Sequence, residues 1–546
     1  MRGLIMDLPL LVSEMIDYAA DCHPQVQVVA RQVDGRIHRH GYGEAQQRAK
    51  RLAQALQRLG VAPGERIGAL AWNTHRYFGM FYGVSGLGAV LHTINPRLFD
   101  EQIVYIVNHA EDAWLFIDAG TLPLAERLAP QFTGLKGYVF MGAPAEVPAS
   151  SLRPLLCYED LLAAADGRFE WPSFDERTAC TICYTSGTTG NPKGVVYSHR
   201  SATLSALMVG QFDMLGDHRS GEIEVYMPIA PLFHGNGWMM PYLAPMHGAK
   251  LVLPGRNYEP DRLLELIEGE GVTVAAGVPT VWLTLVNHLK ATNRRFGKLK
   301  AVLMSGAKPP ESLIRALEED FGVDAMQTWG MTESLTAGKC SLPPGLADRP
   351  FAERLPHKLR QGRRAFGTRF RIIGDAGEEL PQDGRATGHL QVRGPIVAAG
   401  YLKQDGVVGG TGVADGWLHT GDVARLYPDG GIELADRSKD VIKSGGEWIS
   451  SVELENLAMG HPDVLEAAAI AVAHPKWQER PLLIVVRRPG THVDAAGILD
   501  YLKPWQASWW LPDAVEFLDE LPHTATGKVH KLSLRERFKD FRLPNA

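Results

Sequence analysis

Eleven residues, Tyr184-Thr-Ser-Gly-Thr-Thr-Gly-Asn-Pro-Lys-Gly194, gather hydroxyls, glycines and one fixed positive charge into a single loop. Gly187, Gly190 and Gly194 allow tight turns and close backbone approach. Thr185, Ser186, Thr188 and Thr189 add hydroxyl donors, and Lys193 adds an ammonium. Such a loop can wrap a polyphosphate with amide, hydroxyl and ammonium donors, which points to ATP. It is not the common P-loop, which needs Gly before its Lys and Ser or Thr after it; here Pro192 precedes Lys193 and Gly194 follows. The apolar run Ala179-Cys-Thr-Ile-Cys183 predicts a buried strand feeding the loop. Cys180 and Cys183 form a Cys-x-x-Cys pair, but no second pair accompanies them, and their place in this strand favours core packing over zinc or redox chemistry.

Further reactive groupings follow along the chain. Pro231-Leu-Phe-His-Gly-Asn-Gly-Trp238 joins aromatic, imidazole and glycine residues in a stretch too irregular for a plain helix. Ser305-Gly-Ala307 ends an apolar run, and Gln327-Thr-Trp-Gly-Met-Thr-Glu333 sets a ring beside glycine and ends in a carboxylate. His419-Thr-Gly-Asp422 reads as a turn presenting an acid. Asp436-Arg-Ser-Lys-Asp440 reads as a charged linker, leading into Lys443-Ser-Gly-Gly-Glu-Trp448. Pro522-His-Thr-Ala-Thr-Gly-Lys528 stands near the C-terminus.

The elements that must position these groups can be read from periodicity. Residues 42–60 carry a helical pattern closed by Gly60, and Arg66–Trp72 follows as a strand. Short apolar strands alternate with helices as far as about residue 330: Ala113–Ile117, Gly137–Met141, Lys250–Leu253, Val272–Ala276 and Ala301–Met304. That alternation predicts an α/β architecture with largely parallel sheets. From about 365 to 436 helices drop out, and strands at Phe370–Ile373, His389–Arg393 and Gly431–Leu434 predict a small β-subdomain. An α/β pattern returns in a last unit of about 110 residues.

At 546 residues the chain exceeds one hydrophobic core and calls for two to four subdomains. A net charge of −6 argues against nucleic acid as partner, so an anionic ligand must be held by local donors. No apolar run reaches the length of a membrane span, and the N-terminal Leu8–Val12 run is too short for a secretion signal. Five cysteines, an odd number in a long chain, fit a reducing cytoplasm.

Together and in this order, from about Tyr42 to Lys531, the motifs resemble the acyl-adenylate-forming superfamily of acyl-CoA synthetases, peptide-synthetase adenylation domains and beetle luciferases. Within it, His92-Thr-Ile-Asn-Pro-Arg97, Tyr197-Ser-His-Arg200 and Lys443–Ser451 look most like bacterial fatty-acyl-CoA synthetases of medium- and long-chain type. The resemblance implies an acid–thiol ligase. ATP and a carboxylic acid would give acyl-AMP and pyrophosphate, then CoA would give acyl-CoA and AMP, with Mg²⁺ as cofactor. It implies a large domain over residues 1–436 and a small mobile α/β domain over 437–546, hinged near Lys439.

Residue roles carry over by matching position. Thr185, Ser186, Gly187, Thr188, Thr189, Gly190 and Lys193 match the phosphate loop, and Thr185 and Glu333 the metal and phosphate contacts. Gly306 and Ala307 match the adenine wall. Thr328, Trp329, Gly330, Met331 and Thr332 lie along the nucleotide, with Trp329 where an aromatic, more often Tyr, stacks on adenine. Asp422 matches the acid that takes the ribose hydroxyls, and Arg437 a second ribose or phosphate contact. Lys439 falls at the hinge. Lys528 matches the catalytic lysine, acting with Lys193 and Glu333. His234 and Trp238 match the acyl pocket, and Lys443, Gly445, Gly446 and Trp448 the thioester side. His234 stands where amino-acid-activating relatives carry Asp, which disfavours an amino-acid substrate, whose ammonium would be buried unpaired. Lys308 replaces a usually small residue, with no role implied. Other readings are a short, aryl or thioether acid, acyl loading of a carrier protein, or a non-catalytic acyl-nucleotide sensor. A homodimer is expected by analogy.

Overall fold

The structure, a computed structural model, describes residues 1, 3–185, 191–211, 222–339, 342–404, 413–414, 416–445, 447–523 and 529–544. It is a mixed α/β protein in which two seven-stranded sheets and a small five-stranded sheet build a large N-terminal domain. In the first sheet the strands run in the order Leu155–Cys157, Gly137–Phe140, Asp112–Ile117, Arg66–Leu70, Val90–Ile94, Ala179–Tyr184, Gly194–Ser198. All neighbours are parallel except the last pair, which is antiparallel and straddles the glycine loop. In the second the order is Asp324–Gln327, Ala301–Met304, Val274–Gly277, Val225–Pro228, Lys250–Leu253, Gln27–Arg31, Ile37–Gly41. Its inner edge strand, Gln27–Arg31, pairs in parallel with Lys250–Leu253, registering Val28 with Leu251.

One helix, packed against strands of both sheets, has no open face. His75–Gly86 is buried at every position, which explains a sequence carrying Tyr77, Phe78, Phe81 and Tyr82 all round its circumference. The polar ends of these aromatics find main-chain acceptors: the Tyr82 hydroxyl donates to the Pro241 carbonyl and that of Tyr42 to Ala249, each at 2.6 Å. Cys180 and Cys183 sit in this core without a disulfide, and burial pushes the Cys180 thiol up to about 12.

The predicted elements are largely present, with shifted ends. The first long helix stops at Arg58, and Gly60 adopts φ +74°, the left-handed geometry that ends helices on glycine. The strand predicted over Val272–Ala276 runs Val274–Gly277. The charged linker is shorter than expected, because Asp436 and Arg437 complete the strand Ile432–Arg437 and register with Val423 and Asp422. The C-terminal part carries its own five-stranded sheet around the long hairpin of Val464–His474 and Gln478–Arg487. No helix of the described residues is long and apolar enough to cross a membrane.

Candidate active site

Parallel strands bring their carboxyl ends to one edge of a sheet, where ligands of open α/β sheets are bound. Thr185 follows Ala179–Tyr184, Gly306 follows Ala301–Met304, Thr328 follows Asp324–Gln327, and His234 lies shortly beyond Val225–Pro228. Ser186, Gly187, Thr188, Thr189, Gly190, Gly446 and Lys528 lie outside the described residues. The two ends of the glycine loop are described and closed: Thr185 N–H donates to the Lys193 carbonyl at 2.9 Å, and Lys193 N–H to the Thr185 hydroxyl at 3.2 Å.

Lys193 and Glu333 are brought together through a residue the sequence did not single out. The Lys193 ammonium stands 5.0 Å from the centre of the Tyr401 ring, and the Tyr401 hydroxyl donates to Glu333 Oε1 at 2.6 Å. Glu333 is 7% exposed, and its carbonyl accepts from Ala398 N–H at 2.7 Å. The adjoining Thr332 carbonyl accepts from the Tyr197 hydroxyl at 2.6 Å. Thr185 and Glu333 thus share a neighbourhood, and their hydroxyl and carboxylate oxygens are the hard donors that suit Mg²⁺.

The Trp329 segment turns tightly. Gly330 and Met331 pair with Thr336 and Leu335 in a short hairpin, and a Cβ on Gly330 would lie 2.1 Å from the Leu335 carbonyl oxygen, so only glycine fits. Trp329 is 3% exposed and meets Phe370 edge to face at 5.4 Å. Its ring is therefore packed inside rather than presented as an open stacking platform. The indole N–H donates to Asp422 Oδ2 at 3.0 Å, while Arg437 Nε pairs with Asp422 Oδ1 at 2.9 Å. Where a Tyr would present a hydroxyl, the indole N–H supplies a donor aimed at Asp422. Nearby, Gly306 adopts φ +88°. Lys308 finds a partner in Glu433 at 3.8 Å, which gives this out-of-pattern residue a structural reason.

The irregular stretch after Pro231 proves to be wound left-handed. Gly235, Asn236, Gly237, Trp238 and Met239 have φ of +48°, +43°, +63°, +52° and +62°. For residues with a Cβ this hand costs about 1–2 kcal/mol each, so other contacts must hold it. Asn236, fully buried, supplies them: its amide donates to the Thr181 hydroxyl at 2.5 Å, and its oxygen accepts from Thr93 at 3.0 Å. Asn73 fixes the start of the stretch, accepting from Leu232 N–H at 2.8 Å and donating to the Pro228 and Ala230 carbonyls. His234 and Trp238, both half-buried, flank the turn.

Asp436, near the end of the strand Ile432–Arg437, reaches the start of the helix Ser451–Met459. Its carboxylate accepts from the N–H and hydroxyl of Ser451, both at 2.6 Å, and burial raises its pKa. Lys439 is partly buried, which lowers its pKa, and Arg535 pins the segment by reaching the Lys439 carbonyl and Asp440. Lys443 pairs with Asp375 at 3.3 Å, and its ammonium lies 5.1 Å from the Trp448 ring. Asp375 also pairs with His389 at 3.1 Å, so the third sheet holds the segment around Gly445 by its charges.

Two family descriptions match the sequence: "AMP-binding enzyme" over residues 16–402, and "AMP-binding enzyme C-terminal domain" over 453–528. The 3-methylmercaptopropionyl-CoA ligase of Ruegeria lacuscaerulensis is 46% identical over 545 residues, covering 99% of both chains. The medium-chain-fatty-acid–CoA ligase of Ectopseudomonas oleovorans is 41% identical, covering 100% of this chain and 98% of its own. Among solved structures, an anthranilate CoA ligase in complex with anthranoyl-AMP superposes with a TM-score of 0.84 at 26% identity, covering 98% of both chains.

Proposed function

The chain belongs to the AMP-binding enzyme family and is an acid–thiol ligase, and from that premise we propose that it couples a short or medium, unbranched carboxylic acid to CoA. A thioether acid of the 3-methylmercaptopropionate kind is the preferred substrate, ahead of medium-chain fatty acids. The observation that carries this order is whole-length identity: 46% and 44% to two 3-methylmercaptopropionyl-CoA ligases, against 41% to the medium-chain enzyme.

ATP enters with its β- and γ-phosphates in the glycine loop and near Lys193. Asp422, oriented by Trp329 and Arg437, takes the ribose hydroxyls. The carboxylate enters past His234 and Trp238 and attacks the α-phosphate in line, while Lys528 bridges the two as charge moves between them. Pyrophosphate leaves along the loop. The CoA thiol then attacks the acyl carbon from the side of Lys443, Gly445, Gly446 and Trp448, and AMP departs. Thr185 and Glu333 would hold a Mg²⁺, which would supply charge neutralisation at the phosphates. The two half-reactions use two orientations of a C-terminal domain, residues 437–546, that turns about Lys439 against residues 1–436. The enzyme works as a homodimer in the cytoplasm; for the compartment alone, the odd count of five cysteines fits a reducing environment.

The test is CoA-dependent AMP release across a panel of acids: 3-methylmercaptopropionate, propionate through palmitate, and benzoate. The expected result is the highest kcat/KM for 3-methylmercaptopropionate, with butyrate to octanoate following. An optimum at palmitate or benzoate overturns the substrate order. Acyl-AMP formation without transfer to free CoA overturns the ligase reading in favour of carrier-protein loading.

A further inference from the structure

We infer that His38, His40 and Glu44 form a site for a divalent transition-metal ion of the Zn²⁺ class, at the outer edge of the second sheet. The site shares no residue with the nucleotide, acid or CoA positions. His38 and His40 are two apart on the edge strand Ile37–Gly41, so the strand period puts both imidazoles on one face. Glu44 follows in the first turn of the helix Tyr42–Arg58, which starts where the strand ends.

The donor atoms are already close. His38 Nε2 and His40 Nδ1 are 2.9 Å apart, and one ligand atom from each of the three residues lies within 4.8 Å of the others. Two ligands of a tetrahedral zinc, each at about 2.0–2.1 Å, sit about 3.3 Å apart. The histidine pair already has nearly that spacing, and the exposed Glu44 side chain can close the rest by changing rotamer.

A third imidazole lies against the pair. The His75 ring stacks on His38 with centroids 3.7 Å apart and planes 15° apart, and its centroid is 5.7 Å from that of His40. His75 is 2% exposed, and both its ring nitrogens are buried without a hydrogen-bond partner. A buried polar group left unpaired needs an explanation, and an ion or water beside the cluster provides one. The two nearby cations, Arg48 and Arg76, are each drawn to Glu159 at 2.7 Å, which offsets their charge, while Glu44 brings a carboxylate to the open side. Imidazole with a carboxylate suits zinc, and an edge strand open to solvent leaves a position for water. Bound there, the ion would clamp the edge strand to the first turn of its helix.

The test uses the full-length protein stripped with chelator, without nucleotide, titrated with zinc chloride by calorimetry and followed by thermal melting. The expected result is one saturable site per chain in the micromolar range or tighter, with Tm rising by several degrees. Glu44→Gln alters only an exposed side chain and is expected to weaken binding at least tenfold, and His38→Gln to abolish it. Cobalt substituted at the site is expected to show the visible bands of four-coordinate geometry, lost in His38→Gln. Absence of saturable binding up to 100 μM (roughly the limit for a useful site), or binding untouched in both variants, overturns the assignment.

Discussion

At the scale of the residue, the informative side chains are those that work through a neighbour. Trp329 is placed to serve Asp422, and a hydrogen bond to a charged group contributes about 1.5–3 kcal/mol. Trp329→Phe keeps the ring against Phe370 and removes the N–H, so KM for ATP should rise by roughly tenfold or more with the fold intact. Steady-state kinetics with a melting control checks it, and an unchanged KM removes the role. His199 is a second case. It is fully buried, accepts from Val12 N–H through Nδ1 at 3.2 Å, and burial holds it down to about 4. Because its folded pKa lies below the ordinary value, the fold favours the neutral ring. Its contribution is complete above about pH 6.5 and is lost as pH falls towards 4. Stability should drop by about 2 kcal/mol between pH 7 and 5 from this residue alone. Urea titrations at both values, with His199→Asn as the variant that lacks the drop, measure it.

At the scale of the element, the left-handed turn at Gly235–Met239 is the least ordinary local structure, and Asn236 is its keystone. Asn236→Ala removes the amide that donates to the Thr181 hydroxyl and puts a Cβ with no helping amide at positive φ, so unfolding free energy should fall by about 2–4 kcal/mol. Asn236→Gly relieves the backbone and should lose less, even though it removes more atoms. Chemical denaturation of the pair decides it, and equal losses would mean that the backbone hand contributes nothing. The sequence made much of this site legible. The glycine loop, the Trp329 motif and the parallel strands before them are each signalled by local composition. What stayed hidden depends on distance along the chain. Tyr401 meets Glu333 across 68 residues, and Gln27–Arg31 pairs with a strand far downstream, with no local period announcing either. The left-handed turn was visible only as irregularity: Gly235 and Gly237 permit positive φ, but Trp238 and Met239 give no local sign of sharing it.

At the scale of the whole molecule, the proposed two-step chemistry divides the work between the two parts of the chain. Lys528→Ala should cut acyl-AMP formation by about 10²–10³-fold while sparing thioester formation from supplied acyl-AMP. Equal loss of both steps would remove the assignment. Asp375 ties Lys443 and His389 at a partly exposed contact, where a pair contributes about 0.2–1 kcal/mol. Asp375→Asn should therefore slow thioester formation by roughly two- to fivefold and leave pyrophosphate exchange nearly unchanged. Stopped-flow measurement of the separate half-reactions distinguishes that outcome from a general loss. The pairing of Gln27–Arg31 with Lys250–Leu253 has a consequence for how the chain is born. Once the strand is made, its parallel partner follows about 220 residues later, which at 5–20 residues per second is roughly ten to forty-five seconds. Throughout that interval Val28, Val29 and Ala30 have only their hairpin partner, Ile37–Gly41, and no place in the parallel sheet. The hairpin is seated in the parallel sheet only once Lys250–Leu253 has been made, and it is the nascent chain, more than the finished enzyme, that must be kept from the wrong partners.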